Sequence, residues 1–467
     1  MQAWAVGLCA FACSGQAFAN GRFPTANQLV VDPVEPAHLM VRATFGLLQT
    51  FDAGASWTWV CEEAISQRTL VDPEAVIMGD GGVLLGLVDG IALGDKTGCA
   101  WSRATSGVDG HAVNDLIRHP DLLSRAYATL ILPLDGLYAG QVVMTDDAGR
   151  TWAPVGEVLM DTYPVTIEIA RSRPERLYLG ANDSSIANGS IGVSDDGGRT
   201  FVLRAPPAGS DSIYVSAVDP GNADRLYVRS YYPDSNLYVS DDAGLSYTLI
   251  YRSTSALTGF ALSPDGARVA VGDQTSVVIL SRQATDAGSA YGVEQSYPMN
   301  VTCLGWTARG LYACATEASD GFSLGLSTDG AKSFAPLLRF ADLRPVTCPR
   351  ETSGARCTQS DCALATLFRS SCEGDVAPPD EGTPVVATGG AAGAPADAAS
   401  PAPSPEPRGA APDASDAPVA SVRPAARSCD CDLMASGTAT RDALYALAIC
   451  AIARLRARRR APQPPPR

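Results

Sequence analysis

The sequence predicts an all-β protein, a seven-bladed β-propeller with four-stranded blades, on three observations. A short motif recurs seven times between residues 28 and 340, at intervals of 43 to 52 residues. Each interval divides into four short runs of strand-forming residues separated by turn residues. No helical hydrophobic period is visible in this region. A β-patterned repeat in the forties is the size of one propeller blade.

The recurring motif is Asp-x-Gly-x-x-aromatic, usually preceded by Ser or Thr two residues before the Asp. Five copies are strict: Asp52, Gly54 and Trp57; Asp147, Gly149 and Trp152; Asp196, Gly198 and Phe201; Asp242, Gly244 and Tyr247; Asp286, Gly288 and Tyr291. Two copies are degenerate. Asp95 with Trp101 has one extra residue, and Asp329 with Phe334 has its glycine one place early.

The motif has a physical interpretation as a turn. The Asp carboxylate can accept hydrogen bonds from backbone N–H groups of its own turn. The glycine supplies a positive φ, which other residues adopt only at a cost. The aromatic residue begins the last strand and packs between sheets. We therefore interpret these residues as structural and not as ligand or metal contacts.

The pattern resembles the BNR/Asp-box β-propellers, a group that includes sialidases, sortilin-like sorting receptors, some glucanases and plant-type photosystem assembly factors. The resemblance covers about residues 28–340 and implies the fold. It implies little about function, because the boxes of that group lie on the blade periphery, away from the central ligand-binding face. Blades one and seven each contain four strands of their own, so ring closure is expected from the packing of these two blades, with help from the cysteine-rich segment that follows.

The chain divides into five predicted segments: a signal peptide (1–19), the Asp-box propeller (28–340), a Cys-rich segment (341–375), a Pro/Ala-rich disordered linker (376–427) and a sorting or anchor tail with a short hydrophobic helix (428–467). The signal is an apolar stretch ending in Ala17-Phe18-Ala19, a cleavage pattern that places the cut after Ala19. A buried N-terminal helix and a lipoprotein signal ending at Cys13 are the alternatives.

Charge and composition limit the partners. The formal net charge is −15. Residues 429–467 contribute +4 and residues 1–19 contribute none, which leaves −19 for residues 20–428. An acidic body repels phosphate backbones, so no nucleic-acid partner is expected.

The cysteines of an exported chain are expected to form disulfides. Cys303 and Cys314 should lie opposite each other on a hairpin and form one. Cys61 with Cys99 is a weaker prediction, joining the outer edges of blades one and two. Two further disulfides are expected for the segment 341–375, with connectivity left open, because it has neither a Cys-x-x-Cys pair nor a histidine for zinc. Its cysteines are Cys348, Cys357, Cys362 and Cys372.

The tail combines Cys429 and Cys431 with an apolar run over 443–453 and an arginine cluster. It resembles the myxobacterial C-terminal sorting tag (MYXO-CTERM). The resemblance implies processing by a sorting protease, anchoring through one of these cysteines, and a location at the cell surface or outer envelope. The alternative is a plain membrane anchor with positive-inside arginines, although eleven apolar residues make a helix of only about 16 Å.

No motif identifies catalytic residues, a metal site or a cofactor. His38, His111 and His119 have no ligand spacing. The enzymatic alternative is a sialidase-like glycosidase, which needs three arginines, a Tyr–Glu pair and an acidic residue. Gly21-Arg22-Phe23-Pro24 matches the Phe/Tyr-Arg-Ile-Pro motif of that family only in part. We favour a binding or interaction module for an unknown extracellular glycan, peptide or protein over an enzyme. The side chains of the central face should discriminate between the two.

Overall fold

A computed structural model describes residues 23–67, 71–134, 137–183, 189–210, 212–232, 235–285 and 288–360, together with Leu364 and Phe368. The chain separates into two compact units near Asp380, and all described residues belong to the first, Met1–Asp380. The expected signal peptide with Ala19, the linker, and the tail with Cys429 and Cys431 lie outside the described residues.

The described strands form seven sheets, one per blade, each an antiparallel meander of four consecutive strands. Blade one has β1 (Ala26–Val31), β2 (Leu39–Ala43), β3 (Gly46–Thr50) and β4 (Thr58–Cys61). Blade two has β5 (Glu74–Ile77), β6 (Val83–Leu87), β7 (Gly90–Gly94) and β8 (Trp101–Arg103). Blade three has β9 (Ala112–Arg118), β10 (Ala126–Leu134), β11 (Leu137–Thr145) and β12 (Ala153–Pro154).

Blade four has β13 (Thr162–Ile169), β14 (Leu177–Asp183), β15 (Gly189–Ser194) and β16 (Val202–Arg204). Blade five has β17 (Ser212–Val218), β18 (Leu226–Tyr232), β19 (Asn236–Ser240) and β20 (Thr248–Arg252). Blade six has β21 (Gly259–Leu262), β22 (Arg268–Gly272), β23 (Ser276–Thr285) and β24 (Gly288–Pro298). Blade seven has β25 (Val301–Thr307), β26 (Gly310–Ala315), β27 (Leu324–Ser327) and β28 (Ala335–Leu338).

The first strands of successive blades pack against one another in a closed ring, with β25 against β1. The second and third strands are the most deeply buried: every residue of β2, of β3 and of β6 is buried, as expected for strands covered on both faces. Most of the outer strands are short, and β16 is largely exposed. The predicted all-β fold of seven four-stranded blades is therefore confirmed.

The helices of the described residues are short. They are α1 (Glu62–Ile65), α2 (Glu317–Asp320) and two 3₁₀ turns at Phe340–Asp342 and Ser353–Thr358. None of those in the described part of the chain has the length and apolar character needed to cross a membrane.

The Asp-box turns join the third and fourth strands. In blade four, the Asp196 carboxylate accepts the Ser194 hydroxyl at 2.8 Å, the Thr200 N–H at 3.0 Å and the Thr200 hydroxyl at 2.7 Å. These bonds lower the pKa of Asp196 to about 2, against the opposing effect of its partial burial. The same set of bonds surrounds the carboxylates of Asp52, Asp147, Asp242 and Asp329.

The two degenerate boxes differ from the others for clear reasons. In blade seven, Ala331 takes the place of the usual glycine, with φ +66°, and donates its N–H to the Ser327 hydroxyl. In blade two, Asp95 instead accepts the N–H groups of Cys99 and Ala100 at 2.8 and 3.0 Å, because the turn is one residue longer.

The predicted box of blade six is wrong. β23 and β24 continue as a paired hairpin to Thr285 opposite Gly288, so Gly288 and Tyr291 lie within a strand and not in a box turn. Asp286 lies outside the described residues. Ser281 stands opposite Arg268, where the other blades begin their box, and the residue two places on is Gln283. Without the carboxylate, the strands extend past the point where the other blades turn.

The segment after blade seven returns to the outer edges of blades one and two. Its strand β29 (Arg344–Pro345) pairs in parallel with β4. Disulfides join Cys357 to Cys61 and Cys348 to Cys99. We name the segment 340–360 with these two disulfides the clasp.

The clasp corrects the predicted pairing of Cys61 with Cys99 and also the expectation that Cys348 and Cys357 pair within their own segment. Each pairs across to a blade because β29 brings the segment alongside β4. Cys362 and Cys372 lie outside the described residues. The predicted Cys303–Cys314 disulfide is present, between directly opposed residues of β25 and β26.

Candidate functional site

A cavity of about 580 Å³ lies at the centre of the ring. Its lining comes from all seven blades, mainly from their first strands, so it is the channel that the ring encloses. We name it the central channel. Pockets of this size hold small ligands or side chains of a partner.

Many polar side chains of the first strands hold neighbouring blades together. In the described part of the chain, such bonds cross five blade junctions. They join Gln28 to the backbone of Ala75, Asn114 and Asp115 to Pro164 and Ile167, Thr166 to Val215, Thr258 to Val301, and Thr302 to Ala26. Because these groups are committed to the backbone, they explain how the ring closes rather than what it binds.

The charged groups lining the channel are mostly acidic: Asp72, Glu74, Asp115 and Glu168. Asp72 accepts the Asn27 side-chain N–H at 2.6 Å, and Glu74 pairs with Arg42 at 3.1 Å. Arg42 itself is buried behind the first strands. The Glu168 carboxyl, by contrast, makes no hydrogen bond or ion pair with a described residue.

Asp115 and Glu168 both line the channel, and the pKa of each is raised. Enclosure by the inner strands raises the pKa of Glu168 well above its usual range, and the Asp115 charge adds to this. The same enclosure and the Glu74 charge raise the pKa of Asp115. However, both Asp115 oxygens accept backbone N–H bonds at 2.8 Å, which favour its charged form.

One arginine, Arg229, is found among the described lining residues. Its guanidinium lies 5.1 Å from the Tyr214 ring centroid and donates to the Leu257 carbonyl at 2.8 Å. A sialidase-type site needs three convergent arginines, and the described lining does not supply them.

Apart from Cys303, which lines the channel, the described residues singled out from the sequence lie elsewhere. None of the described box aspartates lines the channel. His38 pairs with buried Asp32 at 2.9 Å and stacks on Phe51. His119 accepts the N–H groups of Asp121 and Leu122 within a turn. Within the described residues, no group of three or more His, Cys, Asp or Glu side chains is arranged to hold a metal ion.

Sequence reasoning missed the channel carboxyls. Asp115 and Glu168 each interrupt a first strand between apolar residues, in Val113-Asn-Asp-Leu-Ile and Val165-Thr-Ile-Glu-Ile. A carboxyl in the middle of an innermost strand faces a channel if the fold is a propeller. That signal was available once the blades were counted.

Several solved structures are similar to part of this chain. An ancestral GH74 enzyme is 13% identical over 66% of this chain and 46% of its own, with a TM-score of 0.49. The GH74 xyloglucanase from Xanthomonas campestris is 15% identical over 66% and 60%, with a TM-score of 0.42. Sqt1 from Saccharomyces cerevisiae is 10% identical over 67% and 84%, with a TM-score of 0.46.

This chain spans only 46% and 60% of the length of those two GH74 enzymes. At such identities and TM-scores, the similarity carries no inference about function. No protein-family model matches the chain, and no curated protein sequence does.

Proposed function

We propose that this protein is a binding module whose central channel receives a cationic group, such as a lysine or arginine side chain of a peptide or protein. The observation that carries the proposal is the charge of the channel lining, in which four carboxyls face one guanidinium. A cation is the ligand that removes the mutual repulsion of these carboxyls.

Glu168 is the group expected to meet the ligand. Its carboxyl has no partner among the described residues, and enclosure by the inner strands raises its pKa. An incoming ammonium or guanidinium group supplies a hydrogen-bond donor, which favours the carboxylate form.

The charge of the whole chain supports the same choice. The net charge of −19 over residues 20–428 attracts cationic partners over distances of about 10 Å in physiological salt. Affinity should therefore fall as the salt concentration rises.

The test is fluorescence anisotropy with a labelled oligolysine peptide and an oligoglutamate peptide of equal length. We expect binding of the first alone. Glu168→Gln should weaken it by about tenfold, and Glu74→Gln with Glu168→Gln by more. Glu351→Gln removes an exposed carboxylate that does not line the channel and is the matched control. Equal losses in Glu168→Gln and Glu351→Gln would reduce the effect to general charge attraction.

A glycosidase is the second candidate, because Asp115 and Glu168 place two carboxyls in one channel, and glycoside cleavage is catalysed by a pair of carboxyls. Incubation with β-1,4-glucan and with a fluorogenic sialoside decides it. New reducing ends or released fluorophore that disappear in Glu168→Gln would establish catalysis. We expect neither.

We also infer that the repeats belong to the BNR/Asp-box group and that the propeller is exported and held at the cell surface through its MYXO-CTERM-like tail. The five box turns support the first inference, and three disulfides in the described residues suit an oxidising compartment. Mass spectrometry of the mature protein tests the second. A soluble cytoplasmic form ending at Arg467 would refute it.

A further inference from the structure

A second pocket, of about 310 Å³, lies between blades six and seven. Its walls are the turn at Ser263–Asp265, the turn at Thr307–Gly310 and the start of the blade-seven box turn. These turns follow the ends of β21, β25 and β27, on the face of the ring that carries the box turns. We name it the Trp306 pocket.

Trp306 differs from the other four tryptophans of the described residues. Each of those donates its indole N–H to a backbone carbonyl at 2.9 Å: Trp57 to Leu337, Trp59 to Phe45, Trp101 to Gly98, and Trp152 to Gly149. The indole N–H of Trp306 donates to no described residue, and its side chain is half-buried at the pocket. A hydrogen-bond donor is therefore left over beside an apolar ring.

Arg268 supplies further donors. Its guanidinium lies 4.9 Å from the Trp306 ring centroid, and its nearest carboxylate, Glu294, is 3.9 Å away. The cation–π contact fixes the position of the guanidinium without using its N–H groups. Arg268 is thus held at the pocket with donors to spare.

Asp265 supplies an acceptor. Its Oδ1 accepts the Ser263 hydroxyl at 2.6 Å and the Ala267 N–H at 3.0 Å, which fix the side chain and lower its pKa. Its Oδ2 has no partner among the described residues. The pocket therefore combines an aromatic surface, oriented donors and one oriented acceptor.

We infer that the Trp306 pocket binds a pyranose unit of a neutral glycan. A pyranose has an apolar C–H face that packs on aromatic carbon, and hydroxyls that both donate and accept. Indole and guanidinium N–H groups match its oxygens, and the free Asp265 oxygen matches its hydroxyl hydrogens. The opposing charges of Arg268 and Asp265 favour a neutral sugar over a charged one.

The test is a titration of the full chain, labelled with ¹⁵N at the tryptophan indoles, with cellotetraose, maltotetraose and chitotetraose. Trp306→Phe assigns the Trp306 indole resonance by its loss. We expect at least one sugar to shift that resonance saturably, with a Kd in the millimolar range or tighter, and to leave the Trp57, Trp59 and Trp152 resonances in place. No shift with any of the three sugars overturns the proposal.

Variants separate this site from folding defects and from the channel. Arg268→Ala should weaken sugar binding about tenfold or more, whereas Leu245→Ala, at an exposed position outside the pocket, should not. Unfolding midpoints show whether each variant is folded. Glu168→Gln should leave sugar binding unchanged, and Trp306→Phe should leave oligolysine binding unchanged. Undiminished sugar affinity in a folded Arg268→Ala variant would overturn the assignment.

Discussion

Blades one and six hold their outer strands in place by different means. In blade one, four residue pairs join β3 to β4, the Asp52 turn connects them, and β29 covers the outer edge. In blade six, ten pairs join β23 to β24, and no box turn is present. The described residues place no strand against the outer edge of β24.

The comparison shows that a fixed turn and a long pairing are alternative solutions to the same problem. A four-residue outer strand such as β4 has too few ladder bonds to hold it alone, so the turn and the clasp complete its support. An eleven-residue strand such as β24 has enough. Blade one should therefore be sensitive to changes in its turn and clasp, and blade six should not.

The largest effect is expected from removal of the clasp disulfides. Replacing Cys61, Cys99, Cys348 and Cys357 by alanine should lower the free energy of unfolding by about 5 kcal/mol, because these crosslinks close very long loops. Cys303→Ala with Cys314→Ala should cost only about 3 kcal/mol, since eleven residues separate that pair. Denaturant unfolding measures both. Hydrogen exchange should accelerate in β4 and not in β24, and uniform acceleration would contradict the comparison.

The next largest effect is expected from a change in the box turn of blade one. Asp52→Ala should lower the free energy of unfolding by about 2 kcal/mol, because it removes three hydrogen bonds of a solvent-exposed carboxylate. Gln283→Ala, at the corresponding place in blade six, should change stability by less than about 0.5 kcal/mol. Similar losses at the two sites would show that the long hairpin does not replace the turn.

The stabilisation that Asp52 provides should depend on pH, because the pKa of Asp52 is lowered in the folded protein. Hydrogen bonds from Ser56 and Thr50 hold the pKa of Asp52 below its usual range. The contribution of Asp52 to the free energy of unfolding is therefore complete above its pKa in the unfolded chain, about 3.9. It is lost as the pH falls through its pKa in the folded protein. Wild type and Asp52→Ala should converge in acid, and a constant difference down to pH 2 would contradict this.

A smaller effect of opposite sign is expected in the channel. The pKa of Glu168 is raised in the folded protein. Its contribution to the free energy of unfolding is therefore favourable below its pKa in the unfolded chain and is lost as the pH rises through its pKa in the folded protein. Glu168→Gln should therefore stabilise the protein by about 1 kcal/mol at pH 8 and by nothing near pH 4. Thermal unfolding at the two pH values measures it. Destabilisation at pH 8 would indicate that the carboxylate is needed for folding.

The smallest effect is expected in blade seven. Ala331 adopts φ +66° where blade one has Gly54. Ala331→Gly relieves the strain of the left-handed backbone but also raises the conformational entropy of the unfolded chain. The net result should be an increase of about 0.5 kcal/mol in the free energy of unfolding. Gly54→Ala should lower the free energy of unfolding by about 1 kcal/mol, because alanine is strained at φ +99°. Crowding does not add to this loss, since the added carbon would lie 3.5 Å from Leu337, an ordinary contact distance. Unfolding midpoints compare the two.

Most of the fold could be predicted from the sequence, because each blade is built from strands that are consecutive along the chain. Spacing and turn chemistry located all seven, and hairpin register located the Cys303–Cys314 disulfide. The Cys61 pairing was missed because its partner arrives through β29, a contact between residues almost three hundred positions apart. The blade-six box was a false match, because the motif letters also fit the end of a long hairpin. The channel carboxyls are set by which side chains the ring brings to its centre, which no single blade reveals.

The clasp also determines how mechanical load enters the ring. A pull on the chain beyond Cys357 meets the sulfur–sulfur bond to Cys61 first, and next along the backbone the bond from Cys348 to Cys99. Both stand between that pull and β28, so tension passes covalently into blades one and two. The outer strand of blade seven is thereby shielded from being peeled away, and the propeller can be held by its C-terminal side without being opened.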